Sequence, residues 1–182
     1  MLTGFLPALN IVGEKETGTI EQMNVSPVRP WTLILSKLIP YWTLGLFVLM
    51  LAMGLAATLF GLTPAGGVGN ILVFTLLYLL VMSGLGICVS NIAGTMQQAM
   101  FVMYFFMMIF FLMSGLFTPI TSMPQWAQML TYLNPLRYFV QAMRSIYLKG
   151  SGLTDLLPQL SSLVAYALAS CSLALLSYRK RS

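Results

Sequence analysis

The chain has 182 residues, of which 58% are hydrophobic and 7% are charged, and its formal net charge is +5. A soluble domain of this size could not bury so much apolar surface, so the composition predicts a polytopic membrane protein. The positive charge does not indicate nucleic-acid binding, because the densest basic group, Arg179–Arg181, directly follows an apolar run, where the positive-inside rule places such residues.

The first apolar segment cannot span a bilayer as a helix of its own. Phe5–Val12 is interrupted by Pro7 and is too short to cross about 30 Å of hydrocarbon at about 1.5 Å per residue. We interpret it as the end of a span whose beginning is absent. A disordered or interfacial segment is the alternative that these residues leave open.

A polar stretch at residues 14–29 follows and contains three of the four acidic residues of the protein. Glu14–Val25 can form a helix, which Pro27 and Pro30 would end because proline lacks an N–H group and restricts the residue before it. In an arbitrary membrane protein such a stretch would be a solvated loop. Here a run of helix formers leads through two prolines into a span, which favours a rigid segment that docks a soluble partner.

Four stretches are long and apolar enough to be predicted as membrane spans: residues 33–60, 70–93, 99–117 and 160–178. In the second, Gly86, Ser90 and Gly94 recur at four-residue spacing, a pattern that lets another helix approach closely. The third span interleaves methionine with phenylalanine. It is either an adaptable surface that slides against a partner or, in our preferred interpretation, a lipid-facing helix.

Residues 119–149, between the third and fourth spans, contain two amphipathic segments that are too short and too polar to cross. In the second segment, Asn134 and Pro135 fit the N-cap and first turn of a helix with one apolar side. The other side carries Arg137, Gln141 and Arg144. Such a helix should lie in the membrane interface or enter the membrane and return. The arginines could contact lipid headgroups or anionic substrates. The simpler interpretation is that they keep one side of the helix solvated.

The number of crossings predicts the orientation of the chain. Four complete spans place the polar stretch and the C-terminus on the same side of the membrane. That side carries Lys15, Arg29, Lys37 and Arg179–Arg181, six basic residues, against Arg137, Arg144 and Lys149 on the other. The excess of basic residues predicts that the shared side is cytoplasmic.

The side chains needed for catalysis or for proton-driven transport are missing. Histidine is absent, no carboxylate lies within a predicted span, and no Gly-x-x-x-x-Gly-Lys-[Ser/Thr] phosphate loop occurs. The sequence therefore predicts no enzyme, metal site or cofactor. Any energy for uphill transport must come from another subunit through the polar stretch. The candidate coupling residues are Glu14, Lys15, Glu16, Glu21, Gln22 and Arg29.

Three motifs resemble those of ABC-2 type transporter permeases. Residues 14–31, Glu-Lys-Glu-Thr-Gly-Thr-Ile-Glu-Gln-Met-Asn-Val-Ser-Pro-Val-Arg-Pro-Trp, resemble the coupling segment of that family. Residues 113–126, Met-Ser-Gly-Leu-Phe-Thr-Pro-Ile-Thr-Ser-Met-Pro-Gln-Trp, resemble the exit from its fifth span. Tyr-Leu-Asn-Pro-Leu-Arg-Tyr-Phe at 132–139, with Leu-Lys-Gly at 148–150, resembles the segment before its sixth span.

The resemblance implies an all-α, polytopic transmembrane bundle with a cytoplasmic coupling helix and an extracytoplasmic re-entrant or interfacial helix pair. Residues 1–182 would form the C-terminal part of the family's transmembrane domain, without the first span and part of the second. The family works in the bacterial inner membrane as a dimer of permeases with ATP-binding subunits, and exports lipids, drugs or polysaccharides. The alternatives are a passive conduit or scramblase and a non-transporting assembly factor.

Overall fold

The computed structural model describes residues 1–18 and 30–179, which form helices and no strand. The α-helices are α1 (Leu2–Glu16), α2 (Pro30–Phe60), α3 (Val68–Ile92), α4 (Met96–Leu112), α5 (Gln125–Thr131), α6 (Pro135–Lys149) and α7 (Leu157–Arg179), with a 3₁₀ turn at Ile120–Ser122. Within these described ranges, three stretches are long and apolar enough to cross a membrane: Leu35–Phe60, Val68–Ile92 and Leu157–Ala174. The predicted all-α bundle of membrane helices is confirmed.

The central helix of the bundle is α3, which contacts α1, α2, α4, α6 and α7. Its apolar residues lie on every side, as expected of a helix that other helices enclose. Ile71 and Phe74 of α3 are fully buried against Ala142 and Ile146 of α6 and Leu163 of α7. All of the helices except the short α5 are therefore positioned by their contacts with α3.

Small residues bring two helices into close contact with α3. A Cβ atom on Gly86 would lie 2.3 Å from the carbonyl oxygen of Gly4 in α1, so no larger residue fits without a shift of the backbone. On another side, a Cβ atom on Gly84 would lie 2.7 Å from the Cβ atom of Ser170 in α7. The predicted close approach is confirmed at Gly86, whereas Gly94 lies beyond the end of α3.

The N-terminal segment is a packed helix, so the disordered or interfacial alternative is wrong. Ala8 and Val12 are fully buried, and Pro7 is accommodated inside α1. The helix that contains Glu14 begins at Leu2 and ends at Glu16, where Thr17 caps it. The predicted helix Glu14–Val25 therefore does not begin at Glu14, and its residues beyond position 18 lie outside the described part of the chain.

The third predicted span, residues 99–117, is wrong at its C-terminal end, because α4 stops at Leu112. The hydroxyl of Ser114 donates to the carbonyl of Phe111 and accepts from the N–H of Leu116. Gly115 then adopts a φ of 81°, a left-handed conformation that favours glycine. These local bonds end the helix although the residues that follow remain apolar.

The end of α4 and the start of α6 lie against the same part of α3. Phe110, near the end of α4, packs with Leu136 of α6 against Tyr78 and Met82, near the middle of α3. From there α6 runs antiparallel to α3 and reaches the loop before α3, where the N–H of Gly66 donates to the carbonyl of Ile146. We call residues 113–149 the folded-back element.

The opposite end of the bundle gathers the end of α1, the start of α2, the end of α3 and the start of α4. The end of α7 lies there too, because Ala174 is buried with Ile11, Leu38 and Ile87. We call residues 14–18, 30–37 and 90–98 the polar end. The polar stretch that was predicted to dock a partner begins at this end.

Candidate functional site

The last turn of α1 carries consecutive charged residues that contact different helices. Glu14 forms an ion pair with Lys37 of α2, and the two side chains are 27% and 20% exposed. Lys15 donates through Nζ to the carbonyl of Ser90 in α3. Consecutive side chains of an α-helix point about 100° apart around its axis. In a helix that is surrounded by other helices, consecutive side chains therefore face different neighbouring helices.

Glu16 contacts a third helix, α4, at its N-terminus. Its Oε2 atom accepts a hydrogen bond of 2.9 Å from the N–H of Met96. The first N–H groups of a helix lack partners within the helix, and a negative charge there is favourable to the helix dipole. Thr95 caps the same end by accepting from the N–H of Gln98 at 3.3 Å. The end of α1 is thus bonded to α2, α3 and α4.

This geometry divides the predicted coupling residues into two groups. Glu14, Lys15 and Glu16 are engaged with other helices of the bundle. Glu21, Gln22 and Arg29 lie outside the described residues. Composition alone did not separate the groups, because both consist of charged or amide side chains in one short stretch.

Two further polar contacts near this end were missed by the sequence analysis. Asn10 of α1 donates to the hydroxyl of Tyr41 in α2 at 2.9 Å. Trp42 of α2 donates through Nε1 to the hydroxyl of Ser83 in α3 at 2.7 Å. The partners are 31 and 41 residues apart in the chain, so no local pattern pairs them.

In the folded-back element, Asn134 satisfies two helix ends with one side chain. Its Oδ1 atom accepts from the N–H of Leu136 at 2.9 Å, which confirms the predicted N-cap of α6. Its Nδ2 atom donates to the carbonyl of Phe110 at 2.8 Å, in the last turn of α4. Asn134 is only 2% exposed. Its side chain therefore supplies the hydrogen bonds that water would otherwise make to the backbone at the start of α6 and at the end of α4.

The predicted polar side of α6 is partly used to hold the preceding loop. The half-buried Arg137 donates through Nη1 to the hydroxyl of Thr131, and its guanidinium lies 4.2 Å from the ring centre of Tyr132. Arg144 is exposed and donates to the carbonyl of Gly115 at 3.4 Å. Gln141 lies on the same helix and is half-buried.

Tyr132 connects α5 with two other helices through its backbone. Its carbonyl accepts hydrogen bonds from the hydroxyls of Tyr138 in α6 and Tyr166 in α7. The rings of Tyr138 and Tyr166 lie 5.9 Å apart. This aromatic group fixes the turn that leads into α6.

The described residues contain no cluster of side chains that could hold a metal ion. An apolar cavity of about 150 Å³ lies between α1, α3 and α4, with Phe5, Met82, Met103 and Phe110 among its lining residues. Such a cavity can hold an apolar group.

The chain is similar to known transport proteins. A model of the family described as "ABC-2 type transporter" matches residues 1–148. The chain is 29% identical over 174 residues to the "Probable multidrug ABC transporter permease YbhR" of Escherichia coli K12, an alignment covering 96% of this chain and 47% of that protein. It is 30% identical over 185 residues to the "Inner membrane transport permease YhhJ" of Escherichia coli K12, covering 99% of this chain and 48% of that protein.

The chain spans about half the length of these curated relatives. No solved structure gives a significant match.

Proposed function

Because this chain belongs to the ABC-2 type transporter family, we propose that it couples ATP hydrolysis by a separate cytoplasmic subunit to the export of an amphipathic substrate. It is the membrane part of an ABC transporter, located in the plasma membrane with several crossings. In this proposal it works beside a second permease copy, identical or related, and the ATP-binding subunits hydrolyse ATP.

The observation that carries the proposal is the set of contacts made by the last turn of α1. Glu14, Lys15 and Glu16 contact α2, α3 and α4. Residues 19–29 join this turn to α2, so a force on that segment acts directly on the helix ends at the polar end. A subunit that pushes there can therefore move several helices at once.

The two groups of polar residues have different roles in this proposal. Glu21, Gln22 and Arg29 form the contact with the ATP-binding subunit. Glu14, Lys15 and Glu16 attach the docking segment to the bundle, since their partners belong to the bundle. Mechanical coupling needs both a contact with the motor subunit and an attachment to the moving helices.

The orientation follows from the distribution of basic residues. The polar end is cytoplasmic in this proposal, because it carries Lys15 and Lys37 and because the sequence that follows the last apolar run is basic. The folded-back element then begins near the middle of the membrane and opens to the outer side. In this placement it is a re-entrant helix pair, and its end near Gly66 faces the exterior.

An amphipathic cargo suits the available surfaces. The cavity between α1, α3 and α4 is apolar, and the two Escherichia coli relatives are permeases, one of them named as a multidrug permease. Drugs and lipids with a substantial apolar part are therefore the favoured substrate class. Polysaccharides offer less apolar surface for such a cavity.

Co-purification from native membranes tests the coupling. We expect an ATP-binding subunit to co-purify with the wild-type chain and to be lost from the charge-reversed variant Glu21→Lys with Arg29→Glu. The matched control is Glu14→Lys with Lys37→Glu, which exchanges the charges of an ion pair inside the bundle and should retain the subunit. Wild-type levels of the subunit on the first variant would contradict the assigned contact.

Reconstitution separates an exporter from the alternatives. With the ATP-binding subunit present, an amphipathic substrate should stimulate ATP hydrolysis in liposomes. Substrate movement without nucleotide would instead indicate a passive conduit or scramblase. Complete absence of both movement and stimulation would indicate an assembly factor.

A further inference from the structure

We propose that the apolar cavity between α1, α3 and α4 binds an aromatic ring of the transported compound, which narrows the substrate class to amphiphiles that carry such a ring. The side chains that line the cavity include Met82, Met103, Met107, Phe5, Phe106 and Phe110. The word substrate rests on the proposed function, whereas the binding of the ring rests on the cavity itself.

The size of the cavity fits a single ring. An apolar cavity of about 150 Å³ stays dry and takes up benzene, whereas a pocket that encloses a whole drug-sized ligand measures about 300–1,000 Å³. The cavity between α1, α3 and α4 has a volume of about 150 Å³ and therefore matches the smaller case. One ring enters it, and the rest of the compound lies outside.

The wall of the cavity favours a ring over a saturated chain. In a membrane, a saturated chain gains little by leaving the lipid, because lipid tails are as apolar as the protein. An aromatic ring gains more, since methionine sulfur and phenylalanine rings attract it beyond the burial of apolar area. Met82 and Met103 line the cavity and are only 3% and 8% exposed, so a ring inside meets their thioethers away from lipid.

The cavity reaches the polar end, which explains why the bound compound is an amphiphile. Phe110 packs against Met82 near the middle of α3, whereas Ile92 lines the cavity at the last residue of α3 and is exposed. The cavity thus extends from the middle of α3 to the polar end. A ring held inside it leaves an attached polar group beside residues 93–98. With the polar end cytoplasmic, as proposed above, the compound enters from the inner leaflet.

Cys88 provides a reporter for the test, because it lines the cavity and is a free thiol. The full chain has two cysteines, so Cys171→Ser leaves Cys88 as the single one. The purified chain in dodecyl maltoside is treated with N-ethylmaleimide in the presence of phenylbutanol or of octanol, which has no ring. The rate of labelling is measured by mass spectrometry at equal concentrations of the alcohols within the micelle. We expect half-protection of Cys88 at about fivefold lower concentration of phenylbutanol, because only this alcohol makes sulfur–aromatic and ring–ring contacts.

The second cysteine is the matched control. Cys88→Ser leaves Cys171, which is also half-buried and follows Ser170, the residue that approaches Gly84 of α3. Neither alcohol should protect Cys171. Equal protection of Cys88 by the two alcohols would overturn the inference, as would a lack of protection by phenylbutanol. Protection of Cys171 as strong as that of Cys88 would show general uptake into the micelle and would also overturn it.

Two pairs of substitutions on α4 decide whether the wall selects the ring. Met103→Leu with Met107→Leu nearly keeps the side-chain volume but removes two sulfur atoms from the cavity, so the preference for phenylbutanol should fall to less than about twofold. Met100→Leu with Met108→Leu is the matched control, because both residues are exposed on the same helix and do not line the cavity. It should retain the preference. An unchanged preference in the first pair, or an equal loss in both pairs, would overturn the site.

A second reporter covers the case in which Cys88 reacts too slowly to be followed. Ile92→Cys, in a chain whose two native cysteines are replaced by Ser, places an exposed thiol at the edge of the same cavity. The same preference for phenylbutanol is expected there, and equal protection by octanol would overturn the inference. No ATP-binding subunit takes part in these measurements. Failure of ring selectivity therefore leaves the coupling proposal standing, and failure of co-purification leaves the binding of the ring standing.

Discussion

The polar end and the folded-back element both depend on charged or amide side chains, but these side chains join parts of the chain at different separations. At the polar end, the bonds of Glu14, Lys15 and Glu16 connect residues 23, 75 and 80 positions apart. In the folded-back element, the bonds of Arg137, Asn134 and Arg144 connect residues 6, 24 and 29 positions apart.

This difference indicates how each region moves. At the polar end, hydrogen bonds and an ion pair connect α1 to helices that are distant from it in the chain. Displacement of the end of α1 is therefore passed to the ends of these helices. The shorter-range side-chain bonds of the folded-back element connect it to itself and to the end of α4. Tyr166 and Gly66 add bonds to α7 and to the loop before α3. We therefore expect the polar end to transmit movement and the folded-back element to stay attached to the helices that it contacts.

The largest effect is expected where α1 approaches α3, because this contact brings the last turn of α1 within reach of its partners. Gly86→Ala places a methyl group 2.3 Å from the carbonyl oxygen of Gly4 and should lower the free energy of unfolding by about 3 kcal/mol. Thermal unfolding in detergent measures the change. Gly54→Ala is the matched control, because no atom lies within 4 Å of the added Cβ. Equal effects of the two substitutions would contradict the close packing.

The next largest effect tests the connection within the folded-back element. Asn134→Ala removes the cap of α6 and the bond to Phe110, and should cost about 2 kcal/mol in the free energy of unfolding. Asn134→Ser keeps an acceptor for the cap but is too short for the second bond, so its cost should lie between those of Asn and Ala. If Ser and Ala are equally destabilising, the cap contributes nothing.

The sequence predicted the features that depend on composition and local rules. The apolar runs placed α2, α3 and α7 correctly to within a few residues, because length and apolarity determine which helices can span a membrane. The cap at Asn134 followed from a local rule for helix starts. The end of α4 did not follow, since Ser114 and Gly115 end it by hydrogen bonding and backbone conformation while the chain remains apolar.

Partners that are distant in the chain could not be predicted. Glu14 was predicted to contact a cytoplasmic partner and Lys37 was counted only among the basic residues of the cytoplasmic side, but the fold brings them together. Arg137 was expected on the solvated side of α6, yet the preceding turn places Thr131 and Tyr132 against its guanidinium. In both cases the residue type was informative, and the partner depended on the packing of helices.

A double-mutant cycle measures the strength of the connection between α1 and α2. Lys37→Glu should lower the free energy of unfolding by about 1 kcal/mol, because two carboxylates then face each other in a partly exposed site. Adding Glu14→Lys should recover most of this loss by restoring opposite charges. Independent effects of the two substitutions would show that the pair does not connect the helices.

The smallest effect is expected at Arg144, whose bond to Gly115 is long and exposed. Arg144→Gln should change the free energy of unfolding by less than about 0.5 kcal/mol, since its donors can bond to water instead. Arg137→Gln should cost more, because it removes a half-buried side chain that is bonded to Thr131 and stacked on Tyr132. Unfolding of both variants in the same detergent compares them. If Arg144→Gln is the more damaging, the loop after α4 is held by its exposed bond rather than by the aromatic turn before α6.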